Sequence, residues 1–131
     1  MRLLDTDTCV EILRGNQAVI TRRAAISDVV ATTWITAAEL YFGAAKSLAP
    51  NENRHLVGAF LGTVMCMDLN DPAAQRFGAI KADLERAGSA VADADVLIAA
   101  IALANDAVLV TGNRKHFARI PGVKIEDWIR P

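Results

Sequence analysis

The chain has 131 residues, 53% of them hydrophobic and 22% charged, with a formal net charge of −1. That length builds a core without disulfide or zinc staples, that composition excludes disorder, and that charge excludes bulk attraction to polyanions. The longest apolar stretch, residues 96–104, is too short to span a bilayer, and Asp5 and Asp7 interrupt any signal-peptide core, so one cytoplasmic domain over residues 1–131 with no membrane contact is expected.

Residues 2–5 read as a short buried strand leading into a helix capped by Thr6 or Asp7, with Gly15 at C′. A second helix covers roughly residues 17–27, with Val19, Ile20 and Ile26 inward and Arg22 and Arg23 outward. The β-branched and aromatic run 31–35 predicts a strand, and Thr36 starts a helix to about Ser47. Pro50 breaks it, a further helix covers about residues 51–63, and residues 64–69 are strand-like. Asp71-Pro72 predicts a helix with the acid at N-cap and proline at N1, stopped by Gly88. Asp93 is the next expected N-cap, for an Ala-rich helix reaching about Ala104. Residues 107–111 form an apolar strand of the parallel, doubly covered kind, and residues 123–125 add a last strand before Trp128. This alternation implies an α/β sandwich around a mostly parallel sheet. Cys9 and Cys66 form no C-x-x-C pair, so reduced thiols are expected, and Trp34, Tyr41, Phe42, Phe60 and Trp128 read as core or interface residues.

Acids recur in apolar surroundings: Asp5 at a strand end, Glu39 within ITAAELYFG, and Asp93 and Asp95 within VADADVLIAA. Isolated buried charges are expensive, so these acids are expected to converge and share a cation. Asp5 and Thr111 fall at carboxyl ends of strands, where open parallel sheets bind ligands. Glu39 and Asp95 fall in first turns of helices, with Phe42 and Gly43, and Ile98 and Ala99, on faces expected to point inward. All-oxygen ligation selects Mg²⁺ or Mn²⁺ over zinc, and such an ion activates water for attack on a phosphodiester. Setting Asp5, Glu39, Asp93 and Asp95 aside leaves 11 acids against 14 bases, a surface of +3 suited to that substrate.

Asn113-Arg114-Lys115-His116 lies beside the expected mouth, either as a solvated turn or as a phosphate contact. Neither His55 nor His116 belongs to a helix-paired metal motif. Each acid also has a structural reading. Thr36-x-x-Glu39 spells a capping box, Asp7 and Asp93 suit N-caps, and Asp95 suits the positive end of a helix dipole.

Four segments in order, LLDTDTCVEILRG, ITAAELYFGAAKS, AVADADVLIAAIAL and VLVTGNRKHFARIPGVKIEDW, resemble the PIN-domain ribonucleases, specifically the VapC-like toxins of type II toxin-antitoxin pairs. The resemblance implies a PIN-like three-layer α/β/α sandwich with four to five mostly parallel strands. It places the family acids on Asp5, Glu39 and Asp95 as metal ligands, and puts Asn113 at a fourth position that is often Asp. Thr6, Asp93 and Thr111 become supporting residues, and Arg114 and Lys115 RNA contacts. It further implies an Mg²⁺- or Mn²⁺-dependent endoribonuclease, a homodimer, and a cognate antitoxin that blocks the site. Two rivals remain. A receiver-type phosphoacceptor would use Asp5 and Asp7 for Mg²⁺, Asp68 for phosphate, and Thr111 and Lys124 as its switch; an inactive PIN scaffold would only bind its partner.

Overall fold

The computed structural model describes residues 1–130. Its strands are short and its helices numerous, in the order β1 (Arg2–Leu4), α1 (Thr6–Leu13), α2 (Gln17–Ala25), β2 (Val30–Thr33), α3 (Trp34–Ala45), α4 (Pro50–Leu61), β3 (Met65–Met67), α5 (Asp71–Arg86), α6 (Asp93–Ala104), β4 (Val108–Val110), α7 (Arg114–Phe117) and β5 (Lys124–Glu126). The strands form one sheet in the order β3-β2-β1-β4-β5, every neighbouring pair parallel.

Side chains alternate across a strand, and that alternation separates the two cores. Leu3 and Leu109 face the layer of α5 and α6, where they pack with Leu84, Ile98, Ile101 and Phe117. Leu4 and Val110, one residue on, face the opposite layer and meet Cys9, Val19, Leu40, Val57, Phe60 and Trp128. Helices thus cover both faces, as the three-layer expectation required. Leu3, Leu4 and Leu109 are fully buried, each contributing about 1.5–3 kcal/mol. The same burial pushes the Cys9 thiol up to about 12, which makes it an inert packing group.

Several local expectations are corrected, those for α1, α3 and α5 by a side-chain hydrogen bond that favours a different start. Asp5 itself caps α1, its carboxylate accepting from Thr6 N, so neither Thr6 nor Asp7 is the cap. Thr33 caps α3 by accepting from Thr36 N at 3.0 Å. Trp34 and Ile35 therefore belong to the helix, Thr36 is its third residue, and the capping box with Glu39 does not exist. Asn70 rather than Asp71 caps α5, accepting from Ala73 N. Ala92 occupies the N-cap of α6, so Asp93 is its first helical residue and caps nothing; its carboxylate pairs with Lys81 at 3.1 Å. Pro50 opens α4 instead of merely ending α3. Arg23 is not turned outward, since it donates to Thr63 O at 2.9 Å. Gly15 takes the expected C′ position after Arg14, with φ +81°.

Candidate active site

The chain order β1–β2 runs to one side of the sheet while β4 pairs on the other side of β1. A crevice therefore opens beyond the carboxyl ends of β1 and β4. Asp5 follows β1 directly and Thr111 follows β4. Asp5 is 3% exposed; its Oδ1 accepts from Thr6 N at 2.8 Å and its Oδ2 from Thr111 Oγ1 at 2.7 Å. Burial pushes this carboxyl up to about 6, the charges of Asp7 and Asp95 add to the rise, and the Thr111 and Thr6 hydrogen bonds oppose it.

The Thr111 hydroxyl is shared. It donates to Asp5 and accepts from Asn113 N at 3.0 Å, so the turn after β4 is tied to the central acid. Asp7 ties it a second time, its Oδ2 accepting from Gly112 N at 2.8 Å. From the far side, Arg130 donates through Nη1 to Gly112 O at 2.6 Å. The space between them is tight: a Cβ at position 112 would sit 3.0 Å from Asp7 Oδ2 and 3.1 Å from both Arg130 Nη1 and Ile129 Cδ1, so those side-chain ends would have to give way.

Glu39 comes from the second turn of α3, not the first, because the helix begins at Trp34. The buried stripe of α3 is Thr36, Ala37, Leu40 and Ala44, so Glu39 lies at its edge and is exposed, while Phe42 points to solvent. That edge position brings Glu39 to the rim of the crevice. Its Oε1 accepts from Thr6 Oγ1 at 2.7 Å; the Thr6 oxygen in turn takes the proton of Thr36 Oγ1, 3.0 Å away. Asp95, in the first turn of α6, is 21% exposed and faces His116 Nδ1 at 3.0 Å.

Asp5, Thr6, Asp7, Glu39, Asp95, Asn113 and His116 line one cleft of about 360 Å³. Asp93 does not join them: it points outward to Lys81. Sequence reasoning treated Asp7 as a cap and gave His116 no role of its own within the run beside the mouth, and both line the cleft. The signal for Asp7 was its place two residues after Asp5; for His116 it was the charge run that α7 now carries.

Among the described residues, no Lys or Arg lies within ion-pair distance of Asp5, Asp7, Glu39 or Asp95. Among the described residues, no three acids, histidines or cysteines close on a single point as a ready cage either. Oxygen donors spaced around a cleft, with their charge uncompensated, fit a hard divalent cation that retains several waters. The receiver arrangement does not assemble. Asp68 follows the edge strand β3, two strands from β1, and Lys124 begins the opposite edge strand, paired with Asp106 at 3.2 Å.

A family model described as PIN domain matches residues 2–123. The chain is 38% identical over 127 residues to a protein named tRNA(fMet)-specific endonuclease VapC from Salmonella typhimurium, covering 96% of each. It is 30% identical over 128 residues to Ribonuclease VapC2 of Haemophilus influenzae, covering 97% of each. Among solved structures it superposes with TM-score 0.91 on VapBC2 of Rickettsia felis bound to a promoter DNA fragment, at 29% identity over 97% of this chain and 98% of that one. The DNA-bound VapBC of Salmonella typhimurium matches with TM-score 0.91 at 37% identity, covering 97% of each chain.

Proposed function

The chain belongs to the PIN-domain family, and from that premise we propose that it is a VapC-type endoribonuclease toxin, dependent on Mg²⁺ or Mn²⁺ and neutralised by a cognate antitoxin protein. The observation that carries this reading is the buried Asp5 carboxylate, raised to about 6 and facing Asp7, Glu39 and Asp95 without a protein cation. Asp5, Glu39 and Asp95 are the metal ligands in this reading. A divalent cation at that position supplies positive charge against the charge developing on phosphoryl oxygens and acidifies the attacking water.

The chain's own groups do the rest. Thr111 and Thr6 N hold both Asp5 oxygens in place while leaving each a lone pair toward the cleft. Thr36 and Thr6 relay a hydrogen bond that fixes the otherwise mobile Glu39 at the rim. Asn113, whose amide carries no charge, serves to orient water or substrate; its backbone is set by Thr111. His116 turns an imidazole edge onto Asp95 and steadies that carboxylate. Unstacked RNA enters such a pit more readily than a duplex does.

The Salmonella relative makes initiator tRNA the first substrate to try. Cleavage of tRNA(fMet) by purified protein in Mg²⁺, abolished by excess EDTA, is the expected result. Asp5→Asn, Glu39→Gln and Asp95→Asn should each lower the rate by more than about 100-fold, the scale of losing several kcal/mol of charge stabilisation. Wild-type activity that survives EDTA would end the metal reading, and unimpaired carboxylate variants would end the site assignment.

A further inference from the structure

A larger cleft, of about 800 Å³, adjoins the acidic one and shares Asn113 and His116 with it. Its walls bring together residues remote in sequence: Arg22 from α2, Arg114 and Lys115 from α7, and Arg130 near the carboxyl terminus. Two acids also line it, yet both are already engaged. Glu126 accepts from Trp128 Nε1 at 2.6 Å and from Arg2 at 3.4 Å, while Asp127 accepts from the backbone of Ile129 at 2.8 Å and Arg130 at 3.0 Å. The cations keep donors free. Arg114 and Lys115 are exposed and make no side-chain hydrogen bond or ion pair among the described residues. The Arg22 side chain is 49% exposed with Glu126 as far as 3.9 Å away, and that of Arg130 is 68% exposed, bonded to Gly112 O and 3.6 Å from Asp127.

Four cations against two acids leave a trough with a net positive charge that begins where the acidic cleft ends, with Arg114 and Lys115 unpaired among the described residues and Arg22 and Arg130 beside Glu126 and Asp127. An acidic protein segment would meet the same charges, but the continuity of the trough with the pit through Asn113 favours a ligand that must pass one phosphodiester through the acids. We propose that this trough binds the phosphate backbone of single-stranded RNA on one side of the scissile bond, with Arg22 and Arg114 as its principal phosphate contacts. The proposal rests on the ribonuclease reading for its substrate, and it adds Arg22, which lies ninety residues before α7 and carries no motif.

Binding separates the two claims. A fluorescent single-stranded oligoribonucleotide is titrated against wild type, Arg22→Gln, Arg114→Gln, the double variant, and Arg86→Gln, which removes the same charge from α5 outside the trough. Titrations run in Mg²⁺-free buffer across a salt series, and tRNA cleavage in Mg²⁺ is measured in parallel. Each single trough variant is expected to bind more weakly and to lower the slope of log affinity against log salt by about 0.7, the value for one phosphate contact on a single strand, and the double variant by about 1.4; Arg86→Gln should leave the slope as in wild type. Equal slopes in all five proteins, or an equal loss in Arg86→Gln, overturn the trough even if RNA is cleaved. Normal slope losses in a protein that cleaves no RNA would leave the trough standing and remove the nuclease reading.

Discussion

At the scale of single residues, the turn after β4 beside the candidate site is tightly packed. Gly112→Ala places a methyl group 3.0 Å from Asp7 Oδ2 and 3.1 Å from Arg130 Nη1, and the Asp7 carboxylate already bonds the Gly112 amide. The variant is expected to lose about 1–3 kcal/mol by urea unfolding and most of its RNA cleavage, because Asn113 moves with the turn. Asp5 yields a pH prediction. Its folded pKa, about 6, lies above the ordinary 3.8, so its favourable contribution is complete below about pH 3.8 and is lost as pH rises through 6. Asp5→Asn does not titrate. In EDTA it should therefore melt higher than wild type at pH 7.5, by about 1–2 kcal/mol once one weakened hydrogen bond is counted, and the advantage should vanish near pH 4. A constant difference across that range would mean that the buried carboxyl is not the strained group. Asp93 stands apart: it caps nothing and pairs with an exposed Lys81, so Asp93→Ala should change stability by no more than about 0.5 kcal/mol and leave cleavage intact.

At the scale of elements, the decisive event is where α3 begins. The run Thr32-Thr33-Trp34-Ile35 has strand composition throughout, yet the Thr33 side chain accepts from Thr36 N and turns the chain into a helix after four strand residues. Propensity loses there to a cap hydrogen bond, and Glu39 moves from the first turn to the second. Thr33→Ala is expected to cost about 1 kcal/mol in thermal unfolding and to lower cleavage as well, because the cap orients the helix that carries Glu39. Restoration of both by Thr33→Ser would identify the hydroxyl as the cause. The same competition explains α5, where Asn70 takes the cap position that Asp71 spells by letter; α6 starts after Ala92 with no side-chain cap.

At the scale of the whole molecule, helices on both faces exclude water from β1 and β4, and Asp5 after β1, Glu39 on α3 and Asp95 on α6 face a cleft whose lining holds no Lys or Arg among the described residues. A cation that binds only the folded protein stabilises it by mass action, about 2.7 kcal/mol at a hundredfold excess over its dissociation constant. Mg²⁺ should therefore raise the melting temperature of wild type, and of Asp95→Asn distinctly less. Equal shifts in the two proteins would show that Asp95 does not share the ion.

The order of elements apart from the short α7, the parallel sheet and the choice of Asp5, Glu39 and Asp95 as candidates came from the sequence alone, because alternation of apolar runs and the placement of charge within them are local signals. The family resemblance rested on the same short segments. What the tertiary structure decided is which neighbours those acids have. Asp93 and Asp95 are two residues apart, but a helix turns about 100° per residue, so one meets Lys81 and the other His116. Asp7, Gly112 and Arg130 become one knot, and Arg22 joins Arg114 beside the cleft, only because the sheet order brings β1, β4 and the carboxyl-terminal segment together. Contacts of that sequence separation depend on the packing of whole layers, and no pattern within a short window of residues encodes them.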